Sequence, residues 1–311
     1  MSDETSNPPE AEPYLTLARR GKEAWNAWRR ENPDKKINFA NVDFTRPENQ
    51  DINFGGFEFG NGANFKGASF GDGPWIFDKE SQTKLAQGGS PGGGAYFSGA
   101  SFGEWANFSG ASFGVWADFS RASFGTLASF SGASFGAMTN FSDVKFIGIV
   151  YFSNTKFDQN CRFVGSVFGG TAYFYYSKDK DTANEEELKK YLKDKKLENL
   201  DFSGSIFKDD IIFSGRELTG KLIFRHCRFN IPPDFSQVEG LERIDPTDAH
   251  FSIRPRQRGK IWGWISRNWT TDSERASRIR HLRKLMSDLK AHDVERDPYH
   301  PSIFLTERNR V

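Results

Sequence analysis

Residues 95–138 read AYFSGASFGEWANFSGASFGVWADFSRASFGTLASFSGASFGAM, and this stretch decides the fold. Phenylalanine recurs in it at intervals that alternate between five and six residues, and the rhythm extends from Phe54 to Phe235 with two interruptions. An α-helix repeats its faces every three to four residues and a β-strand every two, so neither has this period. An interval near five is typical of a chain that runs extended briefly, turns a corner and runs extended again.

Small residues accompany the phenylalanines. An alanine lies two residues before most of them, as at Ala106 and Ala111. Side chains alternate along an extended segment, so the alanine and the following phenylalanine point to the same side. Serine and glycine follow each phenylalanine, and both suit corners. The pattern therefore predicts stacked coils whose phenylalanine rings form ladders inside.

These residues resemble the pentapeptide-repeat family, whose motif is a small residue, a polar one, a central Leu or Phe and two more polar residues. The resemblance covers about residues 37–235 apart from the two interruptions. It implies an all-β fold, a right-handed quadrilateral parallel β-helix (a solenoid), to which we add predicted α-helical N- and C-terminal caps. The chain departs from the family in one extra residue after every second unit, so we expect coils of 22 residues.

The sequence divides into four parts. Residues 1–13 are predicted to be a disordered tail and residues 14–36 an N-terminal capping helix. Residues 37–250 form the predicted pentapeptide-repeat β-helix, with a glycine-rich loop inserted at 72–94 and a charged helix inserted at 177–199. Residues 251–311 are predicted to be a basic, aromatic linker followed by a C-terminal helix, which either caps the coils or pairs with a second copy of itself.

No catalytic, cofactor-binding or metal-binding residues are predicted, and we do not expect an enzyme or a small-molecule substrate. The nucleophile-elbow pattern Gly-x-Ser-x-Gly needs a strand, a strained turn and a helix, which are not readable here. The repeat itself generates that pattern, at Ser69, Ser101, Ser112 and Ser134. Cys161 and Cys227 occupy the small position two residues before a phenylalanine, so both are predicted to be buried.

A column of large apolar residues stands at the extra position of the repeat. Its members are Trp105, Trp116, Leu127, Met138 and Ile149. Solvated corners do not need apolar side chains, so two interpretations remain open. The side chains fold back over the phenylalanine ladders and widen the core, or they form exposed ridges that contact a partner.

A second candidate contact segment is basic and aromatic. Residues 254–269 contain Trp262, Trp264 and Trp269 among several arginines, although the whole chain carries a net charge of only +1. The segment is a linker packed on the coils, a membrane-surface segment, or a site for nucleic acid or a protein groove.

The favoured function is a non-enzymatic binding or scaffold protein that presents a β-helical surface to a macromolecule, with a protein favoured as that partner. One alternative is a DNA-mimic modulator of a topoisomerase, as some members of the family are; another is association with a membrane surface. Mimicry of DNA needs a strongly negative surface, whereas acidic and basic residues balance between positions 95 and 175. No signal peptide or transmembrane run is readable, so we expect a cytoplasmic bacterial protein, with membrane association as the alternative.

Overall fold

The computed structural model describes residues 7–71, 94–177, 194–231, 233–235 and 237–251 of the 311-residue chain. Most of this part is a parallel β-solenoid made of very short strands. Ser101 pairs with Ser123, and Ser123 pairs with Lys145, so one coil contains the predicted 22 residues.

The helices are α1 (Glu12–Arg19) and α2 (Lys22–Glu31), and a 3-10 helix spans Leu241–Arg243. The strands are β1 (Glu58–Gly60), β2 (Ser69–Phe70), β3 (Ser101–Phe102), β4 (Ser112–Phe113), β5 (Ser123–Phe124), β6 (Ala128–Ser129), β7 (Ser134–Phe135), β8 (Lys145–Phe146), β9 (Val150–Tyr151), β10 (Lys156–Phe157), β11 (Val167–Phe168), β12 (Ala172–Tyr173), β13 (Lys196–Leu197), β14 (Leu200–Asp201), β15 (Ile206–Phe207), β16 (Ile211–Ile212), β17 (Glu217–Leu218), β18 (Leu222–Ile223), β19 (Arg228–Phe229), β20 (Ile244–Asp245) and β21 (His250–Phe251).

The strands stack into sheets that run along the solenoid axis. The longest sheet has eight strands in the order β1-β3-β5-β8-β11-β15-β19-β21, and every pairing in it is parallel. Two four-stranded sheets, β10-β7-β4-β2 and β16-β12-β9-β6, form other sides of the same coils. Successive coils are therefore joined by backbone hydrogen bonds, at the spacing of about 4.8 Å that is usual between neighbouring strands.

Phenylalanine rings fill the interior in four ladders. Ring centroids of neighbours in a ladder lie between 4.5 and 5.6 Å apart, and their planes differ by at most 23°. The ladders are Phe54–Phe97–Phe119–Phe141–Phe163–Phe202–Phe224, Phe59–Phe102–Phe124–Phe146–Phe168–Phe207–Phe229, Phe65–Phe108–Phe130–Phe152–Phe174–Phe213–Phe235 and Phe44–Phe70–Phe113–Phe135–Phe157. The predicted burial of the rings is confirmed, because all but Phe235 are buried. Each stacked pair adds about 0.5–1.5 kcal/mol beyond area burial.

The N-terminal region contains two helices where the sequence predicts one helix over residues 14–36 and a tail over 1–13. Helix α1 already begins at Glu12, and Gly21 separates α1 from α2 with a φ of 85°, a conformation that glycine tolerates and that interrupts a helix. The fully buried Trp25 of α2 packs on the rings of Phe57 and Phe59. Its Nε1 also donates a hydrogen bond to the carbonyl oxygen of Glu58 at 2.8 Å, so α2 lies directly against the first coils.

The second insertion ends earlier than predicted. The sequence predicts a charged helix over 177–199, but Lys196–Leu197 is already a strand that pairs with Glu217–Leu218, and Leu197 is buried. Leucine fits the inward position as phenylalanine does, which is why the coil resumes there. Residues 178–193 of that predicted helix lie outside the described residues, as do residues 72–93 of the predicted glycine-rich loop.

The C-terminal predictions cannot be placed on the fold. Residues 252–311 lie outside the described residues, and with them the predicted linker, the C-terminal helix, and Trp262, Trp264 and Trp269. Among the residues that the structure describes, no helix combines the length and the apolar character needed to cross a membrane.

Candidate functional site

The corners of the solenoid explain the extra residue of the repeat. At many corners, the residue just before the small inward residue has a positive φ, which turns the chain so that the next side chain points inward. In the five-residue connectors this residue is often glycine, as at Gly99, Gly110 and Gly132, with φ of 66–68°. In the six-residue connectors it is a bulky apolar residue: Trp105 has φ 57°, Trp116 64°, Leu127 62° and Met138 64°.

This backbone conformation is costly for a bulky side chain. A left-handed conformation brings Cβ too close to a carbonyl oxygen, at a cost of roughly 1–2 kcal/mol for each residue. Glycine avoids that cost and is the usual residue at such corners. Trp105, Trp116, Leu127 and Met138 therefore occupy positions at which a glycine would relieve strain.

These side chains are not fully buried, and they differ in exposure. Trp105 exposes 55 % of its surface, and Trp116, Leu127, Met138 and Ile149 are partly exposed. Ile149 differs from the other four because its φ is not positive. Trp105 thus projects from the solenoid, whereas the partial burial of the other four side chains leaves both interpretations open for them.

The corner residues lie along two edges of the solenoid. Trp105, Leu127 and Ile149 follow one another at intervals of one coil, and we name this row the Trp105 edge. Trp116 and Met138 form a second row, the Trp116 edge. The Trp105 amide donates to the carbonyl oxygen of Thr126 at 2.9 Å, so neighbouring coils are hydrogen-bonded at the corner itself.

Ile147 also lies on the Trp105 edge and was missed by the sequence reasoning. It exposes 66 % of its surface. The repeat places glycine at the equivalent position in neighbouring coils, as at Gly103 and Gly125. A Cβ added to Gly125 would lie 2.6 Å from the carbonyl carbon of Gly103, which explains the glycines. The loss of glycine at 147 is the signal that could have identified this residue.

A pair of tyrosines borders the same edge and was also missed. Tyr151 and Tyr173 lie on neighbouring strands with ring centroids 5.2 Å apart and planes 6° apart, and both are partly exposed. Ser129 and Asn107 occupy the same outward column one and two coils earlier. The change from small polar residues to tyrosine, 22 residues apart, could have been read from the sequence.

Polar side chains in the small inward positions donate hydrogen bonds to backbone carbonyl oxygens of the preceding coil. The hydroxyl of Ser205 donates to the carbonyl oxygen of Phe163 at 2.6 Å, and the thiol of Cys227 donates to that of Phe202 at 2.9 Å. Cys161 and Cys227 are both fully buried, as predicted. Burial raises the pKa of each thiol to about 12, so neither forms a nucleophilic thiolate at neutral pH.

Arg216 is the exception among the small inward positions. It is fully buried, and its Nε donates to the carbonyl oxygen of Phe174 at 2.7 Å. One terminal nitrogen donates to the carbonyl oxygen of Asp194 at 3.3 Å, and the guanidinium lies 4.9 Å from the centroid of the Tyr176 ring. Desolvation lowers the pKa of Arg216 to about 9. Tyr176 lies just before the second insertion and Asp194 lies at its end, two residues before β13, so Arg216 contacts both ends of the insertion.

The elbow serines stand on the outer surface of the strands, where Ser101 and Ser112 are exposed and Ser69 and Ser134 partly exposed. His250 shares a sheet with Ser101, but it lies six strands away, at about 29 Å. Within the described ranges, no cluster of His, Cys, Asp or Glu could hold a metal ion.

The comparison with protein families agrees with the coil geometry. The family described as pentapeptide repeats (9 copies) matches residues 130–178, which confirms the resemblance seen in the repeat. Searches of curated proteins and of solved structures found no significant match.

Proposed function

Since the chain carries pentapeptide repeats, we propose that it is a non-enzymatic scaffold whose corner residues bind a protein partner. The observation that carries the proposal is the set of bulky apolar residues in a strained conformation. Strain at a well-ordered position is a reason to look for a function of that side chain. Tryptophan is moreover favoured at the energetic centres of protein interfaces.

The distribution of charge supports a protein partner over the imitation of DNA. Acidic and basic residues are equal in number between positions 95 and 175, namely Glu104, Asp118, Asp143 and Asp158 against Arg121, Lys145, Lys156 and Arg162. A surface without net charge does not resemble a row of phosphates. Apolar residues on an exposed edge suit a partner with its own apolar patch.

The test uses the full chain as bait and compares it with the double variant Trp105→Gly, Trp116→Gly. Glycine removes the contact side chains and relieves the corner strain, so we expect the variant to keep its fold, which circular dichroism checks. We expect the wild-type chain to enrich a protein that the variant loses, as measured by quantitative mass spectrometry. The enriched protein is then purified, and its affinity for both chains is measured by calorimetry.

The matched control is the double variant Ser101→Ala, Ser112→Ala, which changes exposed residues on the strands of the same coils. It should bind the partner as the wild type does. A chain that ends at His250 tests whether residues 251–311 contribute. If the tryptophan variant retains full affinity for every purified partner, the corner residues are not the binding surface.

A further inference from the structure

We propose that the Trp105 edge binds a second copy of this chain, with the two solenoids antiparallel and a two-fold axis passing beside Leu127. The proposal rests on the proposed function in one respect, namely that the corner residues contact another protein. It specifies that the protein bound at the Trp105 edge is a second copy of this chain. Its argument comes from the order of charges and of side-chain sizes along that edge.

The register of the coils defines the edge from residue 36 to residue 210. Outward residues pair from coil to coil in the order Asn38, Asn64, Asn107, Ser129, Tyr151, Tyr173 and Ile212, and the column continues to Asp234. The corner residue lies two positions before each of these. The described part of the edge therefore consists of Lys36, Gly62, Trp105, Leu127, Ile149, Thr171 and Asp210, and its next position, residue 232, lies outside the described residues.

Two triplets of residues along the edge, six coils apart, carry opposite net charges. Residues 34–36 at one end read Asp-Lys-Lys and are exposed. Residues 208–210, six coils further along, read Lys-Asp-Asp and are exposed or partly exposed. Leu127 lies three coils from each triplet, so an antiparallel copy centred there sets each residue of one triplet opposite a residue of the other sign. A parallel copy would set like charges against each other, which is unfavourable.

Side-chain sizes between the ends also complement each other. The same two-fold axis places Trp105 opposite Ile149 of the second copy and Leu127 opposite its own equivalent. Ile147 faces Gly103 of the second copy, so a protruding side chain meets a position without one. Large residues meeting small ones, and apolar residues meeting apolar ones, are features of a specific interface.

In the column of outward residues beside the edge, large side chains also meet smaller ones. Tyr151 faces Asn107 of the second copy, and Tyr173 faces Asn64. Each tyrosine thus meets a shorter side chain whose amide can hydrogen-bond to a phenol. Such a hydrogen bond lets a partly exposed tyrosine be buried at little cost.

The size of the contact predicts a weak dimer. Six coil spacings give an edge about 29 Å long, but only one corner wide. Stable interfaces bury about 800 Å² on each partner, and a contact of this shape buries less. We therefore expect association at high protein concentration, weakened by salt because a charged triplet lies on each side of the apolar residues.

Cysteine crosslinking of the full chain tests the position of the axis. In the variant Leu127→Cys, the new thiol lies beside its equivalent, so a short bifunctional thiol reagent should give a covalent dimer at low salt. Met138→Cys is the matched control, because it has the same corner conformation and partial exposure on the other edge. It should remain monomeric. The native thiols are fully buried and do not interfere. Equal crosslinking of both variants, or none with Leu127→Cys, would overturn the proposal.

A charge exchange followed by sedimentation velocity provides the second test. Lys35→Glu with Lys36→Glu should abolish the dimer, and adding Asp209→Lys with Asp210→Lys should restore it, because the two triplets then attract each other again. The proposed dimer is refuted if the two lysine substitutions leave the association unchanged, or if the wild-type chain stays monomeric. If the chain is monomeric but a partner protein still requires Trp105 and Trp116 for binding, the dimer is refuted and the proposed function is supported. If the chain forms the dimer but no partner requires these tryptophans, the dimer is supported and the proposed function is refuted.

Discussion

The coils between residues 95 and 175 and the coils after the second insertion follow the same backbone path but fill their interiors differently. In the earlier coils, phenylalanine stacks on phenylalanine and alanine fills most of the small inward positions. In the later coils, Leu197 and Leu218 follow the ladder that ends at Phe157, and Arg216 stands two residues before Leu218, where the earlier coils have Ala68, Ala111, Ala133 and Thr155. The path is therefore maintained by the corners and by hydrogen bonds between coils, while the interior tolerates several solutions.

The largest expected loss of stability comes from a substitution that interrupts a phenylalanine ladder in the earlier coils. Phe124 is fully buried between Phe102 and Phe146, which stack on its two faces. Phe124→Ala should lower the free energy of unfolding by about 3–5 kcal/mol, because it leaves a cavity between rigid coils. Chemical denaturation measures the change. The equivalent change in the later coils, Leu218→Ala, should cost less, because leucine has no stacked faces to lose; an equal loss would show that stacking adds nothing beyond burial.

A smaller loss of stability is expected from substitutions of the buried Arg216 in the later coils. Arg216→Ala should lower the free energy of unfolding by about 3 kcal/mol, because it opens a cavity and leaves the carbonyl oxygens of Phe174 and Asp194 without this donor. Arg216→Met fills most of the space and should recover part of the loss. If Arg216→Ala is as stable as the wild type, alanine suits this position in both regions and the arginine is not a structural requirement.

The smallest effect compares the two kinds of corner. Gly132 has φ 68°, and nothing lies within 4 Å of an added Cβ, so Gly132→Ala should cost only the backbone strain of about 1–2 kcal/mol. Trp105→Gly removes strain and should leave the free energy of unfolding unchanged or slightly higher. Thermal denaturation of both variants measures whether a side chain at each kind of corner raises or lowers the stability of the fold. A marked loss of stability in Trp105→Gly would show that the indole packs on the solenoid and is retained for the fold.

Much of the fold follows from local pattern. The alternation of five and six residues predicts the 22-residue coil, and the inward positions of Phe124 and Cys227 follow from the alternation of side chains along an extended segment. These features are readable because each coil repeats the same environment, so one local rule applies many times. The corner candidates Trp105 and Trp116 were readable for the same reason.

The tertiary structure decided what depends on contacts between coils and on particular backbone angles. The positive φ of Trp105 and Leu127, the break at Gly21 between two helices, and the return of Leu197 to the coil before residue 199 are set by how one coil lies on the next. The alignment of residues 34–36 with 208–210 along one edge likewise requires the register across both insertions. Sequence alone determined that the chain stacks in coils around phenylalanine; the stacking itself decided which side chains reach the surface together, because residues far apart in sequence become neighbours only once the hydrogen bonds between coils have formed.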